Sequence, residues 1–385
     1  VFVDEYVGLG HTRLSIIDVS DAGSQPMHYD KERGAARISA TARYTITFNG
    51  EIYNYLELRT ELAAAGAIFH TESDTEVILA AYARWGKDCV TRFNGMWAFC
   101  IYDHETNELF LSRDRMGVKP LYYYQHGGTF FFASEIKALI AAHREPINRP
   151  DNLNADAIEL FFSLGYIPAP HTIYAHVYQL PPAHTMTVNG KTGTLTTARY
   201  WELPDFRPIA DKAKLVQAGK ALLTDATRLR MRADVPVGAF LSGGLDSTSV
   251  VAAMRAYTSL DKLHTFSIGF AGAYDETRFI ELARTELGTM HHHQYFTKDD
   301  FLNQCEMFAG IFDEPMSDHS GFPTRMVSAL ARQQVTVALS GDGGDEVFGG
   351  YGSHVLGARL DLLKHLPVSI RRLIAAFPIG AMGNK

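Results

Sequence analysis

The sequence predicts two domains of different class, a layered α+β half followed by an α/β half built on a parallel sheet. Three observations predict this. Short aromatic and β-branched runs crowd together between Tyr44 and Ala133, strand and helix periods alternate from Val235 onward, and a Pro-containing stretch near residue 205 lies between the two patterns. At 385 residues the chain has room for roughly two to three domains with real cores.

In chain order, Tyr44 to Phe48, Met96 to Tyr102, Glu108 to Ser112, Leu121 to Tyr124 and Thr129 to Ala133 read as strands, spaced closely enough for antiparallel sheets. Val77, Ile78, Ala81, Tyr82 and Trp85 fall on one helical face, as do apolar positions around Leu58 and Leu62, so helices should cover those sheets. Tyr200 to Pro208, with Pro204 and Pro208 among charged residues, reads as a linker and sets the expected domains at 1–204 and 205–385. Val235 to Leu241, His264 to Phe270 and Val335 to Leu339 then read as strands, with a helix through Val250, Val251, Met254 and Tyr257. Ser353 to Lys385 reads as helical.

Composition narrows the function classes. Lys plus Arg is 36 and Asp plus Glu is 43, a net charge of -7, which offers no electrostatic footprint for nucleic acid or an anionic membrane. The uncharged stretch Leu160 to Gly190 is long enough to raise a membrane span, but Pro168, Pro170, Pro181 and Pro182 argue against a transmembrane helix. Three cysteines, Cys89, Cys100 and Cys305, supply neither a disulfide framework nor a CxxC zinc site, and the chain reads as cytoplasmic. The opening at Val1 without a signal peptide, and the end at Lys385 without a closing element, read as a chain cut at both ends.

Two loops carry the strongest chemical signal. Ser242-Gly243-Gly244-Leu245-Asp246-Ser247 follows a strand and opens a helix, where free N–H groups and the helix dipole suit a phosphate chain. The usual GxxxxGK[ST] loop is excluded: Thr185 stands where the first Gly should precede Gly190-Lys191-Thr192, and Gly219-Lys220 has no following Ser or Thr. Ser340-Gly341-Asp342-Gly343-Gly344-Asp345-Glu346 follows a second strand and should project from the same carboxyl edge. Acids beside phosphates call for a hard cation, so Asp246 and Asp345 are candidate Mg²⁺ ligands. The bland alternatives are a turn with Asp246 or Ser247 as a helix cap, and a solvated acidic loop.

In the first half, Asn49 and Gly50 sit at the end of the Tyr44 to Phe48 strand and can supply the two donors of an oxyanion hole. Asn-Gly is equally the commonest hairpin turn signal, and residues alone favour the turn. Arg13 and Asp74 offer the charges that an amino acid's carboxylate and ammonium need, against a structural ion pair or helix cap. His291-His292-His293 does not read as a metal cluster, because successive strand residues point to opposite faces. Gly8-Leu9-Gly10 leads to Arg13 where a dinucleotide fingerprint needs Gly. Cys305, on a helical face with Phe301, Leu302 and Phe308, reads as core.

Taken in order, LGHTRLSIID (9–18), SQPM (24–27), FNGEIYN (48–54), SDTEVIL (73–79), RFNGMWAFCIYD (92–103), SRDRMGVKPLYY (112–123), FFASEIKAL (131–139), LSGGLDS (241–247) and SGDGGDEVFGGY (340–351) resemble the glutamine-hydrolysing asparagine synthetases. The resemblance implies an N-terminal-nucleophile glutaminase domain, an αββα sandwich, followed by an adenine-nucleotide hydrolase-like domain of the PP-loop type, with ammonia passing between them. It implies that Arg13 holds the glutamine carboxylate, Glu51 and Asp74 its ammonium, and Asn49 and Gly50 the tetrahedral oxyanion. It further implies that Leu241, Ile268, Ser340 and Gly341 contact the adenosine and that Ser242, Gly243, Gly244, Asp246 and Ser247 hold the pyrophosphate. Asp342 stands where the family often has a Glu that contacts the acyl-adenylate.

The implied nucleophile is an amino-terminal cysteine ahead of Val1, which Cys89 and Cys100 cannot replace, so the chain as written is expected to lack glutaminase activity. Further acceptor-side residues, including a lysine, are implied beyond Lys385. The implied chemistry is hydrolysis of glutamine through a γ-glutamyl thioester, adenylation of aspartate by ATP with Mg²⁺, and displacement of AMP by ammonia. Glutamine, aspartate and ATP are the implied partners, with no nucleic acid and no membrane, and a homodimer is a compatible assembly. Three alternatives stay open: another acceptor carboxylate, such as a sugar uronic acid or a β-lactam precursor; sulfur or ammonia transfer to RNA, which -7 and the lone Cys305 disfavour; and a non-catalytic nucleotide-binding relative.

Overall fold

Two nine-residue strands, Tyr44–Ile52 and Gly95–Asp103, pair antiparallel along their whole length at the centre of a seven-stranded sheet. The computed structural model describes residues 1–36, 42–142, 147–205, 207–259, 262–270 and 276–376. Outward from that central pair lie Glu108–Arg113, His184–Asn189 and Leu195–Arg199 on one side, and Met27–Asp30 and Gly34–Ala36 on the other, all antiparallel. A second sheet, Val177–Gln179, Tyr122–His126 and Thr129–Ala133, is also antiparallel.

The period of two along Gly95–Asp103 sorts its side chains between two cores. Trp97, Phe99 and Ile101 join Leu58 and Leu62 of the helix Tyr55–Ala64 and Val77, Ile78 and Ala81 of the helix Asp74–Trp85. Ala98, Cys100 and Tyr102 turn the other way and pack with Leu121 and with Tyr123, Phe130 and Phe132 of the small sheet. The far face of the small sheet, through Tyr122, Tyr124 and Phe131, packs on Ile136 and Leu139 of the helix Ile136–Ala142. Helices, large sheet, small sheet and helix stack in that order, the expected αββα sandwich. Both central faces are buried, so the strand lacks the polar alternation of a one-sided sheet.

Residues 200–205 and 207–211 carry no regular structure. Beyond them lies a four-stranded parallel sheet in the order Met290–Phe296, His264–Phe270, Val237–Phe240, Val337–Leu339. Ala239, Leu241 and Leu339 bury one face against Val251 and Met254 of the helix Leu245–Met254 and Ala283 of the helix Thr277–Leu287. Phe266 buries the other against Val327 and Ala331 of the helix Gly321–Ala331. This is the expected α/β half. Tyr257 falls past the end of its helix and is exposed. Helices Gly352–Asp361 and Val368–Ala376 agree with the reading of the closing segment, whose last residues, 377–385, lie outside the described ones.

Cys305 is a correction. It is exposed although its neighbours on the stripe make contact: the Phe301 and Phe308 rings meet Phe322 of the helix Gly321–Ala331 at 4.9 and 4.2 Å, and Gln304 is the buried residue beside the thiol. Helical spacing identified a face, but apolar character did not decide which of its side chains were covered. His291, His292 and His293 lie on a strand as read; His291 and His293 share Ser267 on one face, while His292 meets His264 on the other. Among the described residues, no helix is long and apolar enough to cross a membrane.

Candidate active sites

Segments far apart in sequence converge on one cleft of about 870 Å³, lined by Arg13, Asn49, Gly50, Glu51 and Asp74. The strand Tyr44–Ile52 runs straight through Asn49 and Gly50, which pair with Ala98 and Trp97, so the hairpin-turn reading of Asn-Gly is overturned. Full-length pairing with one long, buried strand, Gly95–Asp103, holds this dipeptide extended against its local turn preference. Gly50 has φ +154°, and a Cβ there would lie 2.1 Å from the Met96 carbonyl oxygen, so only glycine fits. Asn49 donates its amide Nδ2 to Ser134 Oγ at 3.2 Å.

Two of the acids that line the cleft, Glu51 and Asp74, are buried. Ser73 caps the helix Asp74–Trp85 by accepting the Thr75 N–H at 3.2 Å, so the helix-cap alternative for Asp74 fails. Asp74 instead accepts the Ile52 N–H at 2.9 Å, tying the helix start to the strand end beside Glu51. Burial pushes the Asp74 carboxyl up to about 6, against the pull of its N–H donors. Glu51 is pushed up to about 8, first by burial and then by the Asp74 charge, with Lys119 and Arg230 acting the other way. Its Oε1 is buried without a hydrogen-bond partner. Such a pair is short of a cation, and a substrate ammonium would supply one.

Arg13 makes no close salt bridge among the described residues; its guanidinium donates to the carbonyls of Ile17 at 3.1 Å, Ser20 at 2.7 Å and Asp18. The structural ion pair considered for it does not form. These bonds fix the fork at the mouth of the cleft and leave part of it for a carboxylate. Cys100 also lines the cleft, but burial raises its thiol and that of Cys89, the opposite of what a nucleophile needs.

The two glycine-rich loops leave the carboxyl ends of adjacent strands, with Ala239 paired to Leu339. Ser242 N–H donates to Ser247 Oγ at 3.2 Å, and the two hydroxyls meet at 2.9 Å, closing the first loop. Gly243 has φ +78°, and a Cβ would meet the Phe279 and Ile280 backbone at 2.8 Å. Gly244 caps Leu245–Met254 with no side chain over the first turn, so Asp246 and Ser247 are not its caps and the N–H groups stay open to an anion. The second loop presses on the first: a Cβ on Gly341 would lie 2.7 Å from Ser247 N, and one on Gly344 2.4 Å from Asp246 Cγ. Asp345 stands in the first turn of Gly344–Phe348, and Asp342 accepts the Ser340 hydroxyl at 2.9 Å. Leu241 and Ile268 pack on opposite faces of the sheet, so main chain rather than both side chains would meet one adenosine.

Hard carboxylates beside a backbone cradle fit an oxygen-seeking cation completed by phosphate oxygens, and no group of three or more His, Cys, Asp or Glu among the described residues forms a cage of its own. Residue-by-residue reading passed over Ser134 and Lys119, which line the first cleft. Their only sequence signal is membership of the segments 131–139 and 112–123.

Residues 1–201 match the family described as glutamine amidotransferase domain, and residues 218–378 the family described as asparagine synthase. Over 98% of its length the chain is 50% identical to a putative asparagine synthetase [glutamine-hydrolyzing] 2 of Methanocaldococcus jannaschii, covering 73% of that protein. Over 100% of its length it is 35% identical to asparagine synthetase [glutamine-hydrolyzing] 1 of Bacillus subtilis, covering 58% of it. It is 28% identical over 90% of its length to amidase chry2 of Gibberella zeae, covering 52%. The chain thus spans about half to three quarters of the length of these relatives.

Proposed function

This chain belongs to the glutamine-hydrolysing asparagine synthetases, and on that premise we propose that its protein makes asparagine from aspartate, glutamine and ATP, with AMP and pyrophosphate released. The supporting observation is the first cleft: three remote segments bring together a fixed guanidinium and two buried carboxyls short of a cation, the recognition chemistry of a free α-amino acid. Glutamine lies with its carboxylate on Arg13 and its ammonium on Glu51 and Asp74. The Asn49 amide and the Gly50 N–H receive the oxyanion that forms when the family's amino-terminal cysteine attacks the side-chain carbonyl.

At the second site the loop 242–247 receives the β- and γ-phosphates on the open first-turn N–H groups of the helix Leu245–Met254, while Ser340 and Gly341 with Leu241 and Ile268 flank the adenosine. The aspartate β-carboxylate oxygen attacks the α-phosphorus, and the bond to pyrophosphate breaks. Ammonia then attacks the acyl carbon, loses a proton, and AMP departs. Asp342 is assigned the contact with the acyl-adenylate. Asp246 and Asp345 would hold Mg²⁺, which offsets charge on the departing pyrophosphate. The domain boundary is placed at 204/205, and a cytoplasmic homodimer completes the reading.

The test is the product. Protein carrying the family's amino-terminal cysteine and full carboxyl-terminal part should release pyrophosphate from ATP when given aspartate. Orthophosphate as the direct product would refute the nucleotide assignment. Pyrophosphate released with another carboxylate but not with aspartate would refute the acceptor.

A further inference from the structure

We propose that Ser134 is a positioning residue for glutamine hydrolysis, and that its place is set across the domain boundary by a clasp between Lys137 and Asp313. The inference rests on the reading of Asn49 as an oxyanion donor. A primary amide has two hydrogens on Nδ2 and a soft terminal torsion, so one good partner is enough to aim the other hydrogen. In the cleft that partner is Ser134 Oγ, which accepts from Asn49 Nδ2 at 3.2 Å. Without it, the Asn49 side chain is free to rotate away from the developing charge.

Ser134 stands just before the helix Ile136–Ala142, between the small-sheet strand Thr129–Ala133 and the helix start. The second domain holds that helix. Asp313 accepts the Lys137 main-chain N–H at 3.2 Å, and its other oxygen lies 3.3 Å from Lys137 Nζ. The same ammonium donates to the Gly310 and Ile311 carbonyls at 3.0 and 3.2 Å, the last ones of the helix Lys298–Ile311. Next to it, Glu314 accepts the Ile173 N–H at 2.6 Å and the Gly165 carbonyl accepts the Ser317 N–H at 3.2 Å, so the contact is broad rather than a single pair. A shift of the 310–317 segment therefore moves the helix start, and with it the hydroxyl that aims Asn49.

The test is a set of double-mutant cycles on protein carrying the amino-terminal cysteine, read as kcat and KM for glutamine hydrolysis. Ser134→Ala should lower kcat about tenfold with KM for glutamine held within about twofold, because the donor is misaimed but the substrate's charged ends are untouched. Ser134→Thr, which keeps the hydroxyl, should restore most of the loss. In an Asn49→Ala background Ser134→Ala should have no further effect. An undiminished loss in that background, or a loss carried by KM alone, would overturn the positioning role. Asn49→Ala with normal kcat would instead strike the oxyanion assignment beneath it.

Asp313→Ala should lower glutaminase kcat in the parent and leave the Ser134→Ala variant unchanged, while Asp313→Asn, still able to accept the Lys137 N–H, retains most of the activity. Equal losses from Asp313→Ala in both backgrounds would overturn the cross-domain part.

Discussion

Replacing Glu51 by Gln should stabilise this chain while removing its grip on glutamine. The Glu51 carboxyl is pushed from an ordinary 4.5 up to about 8, and the residue is only 4% exposed. Its folded-state value lies above the unfolded one, so between those values the folded chain binds more protons and stability falls as pH rises. The stability is fully present below about 4.5 and is lost as pH rises through about 8. At about 1.4 kcal/mol per unit, the disadvantage at pH 7 is about 3 kcal/mol, against under about 1 kcal/mol at pH 5. Gln keeps the shape and removes the titration. Thermal unfolding of the first domain should therefore shift upward by roughly 6–12 °C at pH 7, and by much less at pH 5. Added glutamine should raise the parent's midpoint, because its ammonium pairs with the carboxylate, and leave the variant's unchanged. An upward shift of the same size at both pH values, or a lowered midpoint at pH 7, would refute the account of a buried carboxylate short of a cation.

Asn49→Ala should lower glutaminase turnover by roughly 10²- to 10³-fold through loss of one oxyanion donor, while synthesis from free ammonium continues; a joint loss would mark a folding residue. Asp246→Asn should abolish synthesis from either nitrogen source and spare glutamine hydrolysis; near-normal asparagine formation with ammonium and saturating Mg²⁺ would refute the metal assignment. Gly341→Ala should weaken ATP binding, since its Cβ would lie 2.7 Å from Ser247 N and push the loops apart, and calorimetric titration with ATP would show it.

Determined by the sequence alone were the two domain classes, the central strand runs of the sheets though not strands such as Met27–Asp30, His184–Asn189 and Leu195–Arg199, and the two glycine-rich loops, because periodicity, chain length and glycine placement are local properties. The family resemblance put Arg13, Glu51 and Asp74 in one site, which no spacing of 9–13, 48–54 and 73–79 could do. Only the tertiary structure decided the rest. Asn-Gly, a turn signal by propensity, became mid-strand because pairing with Gly95–Asp103 outweighs a local preference of at most about 1 kcal/mol. Cys305 sits on an apolar stripe whose phenylalanines Phe301 and Phe308 meet Phe322, yet the thiol itself is exposed, since what is covered on a helix face depends on the neighbours it finds. The raised carboxyls, the Ser134 contact and the Lys137–Asp313 clasp arise from packing between residues as much as 176 positions apart, and burial and charge proximity are properties of that packing, not of the residues that undergo it.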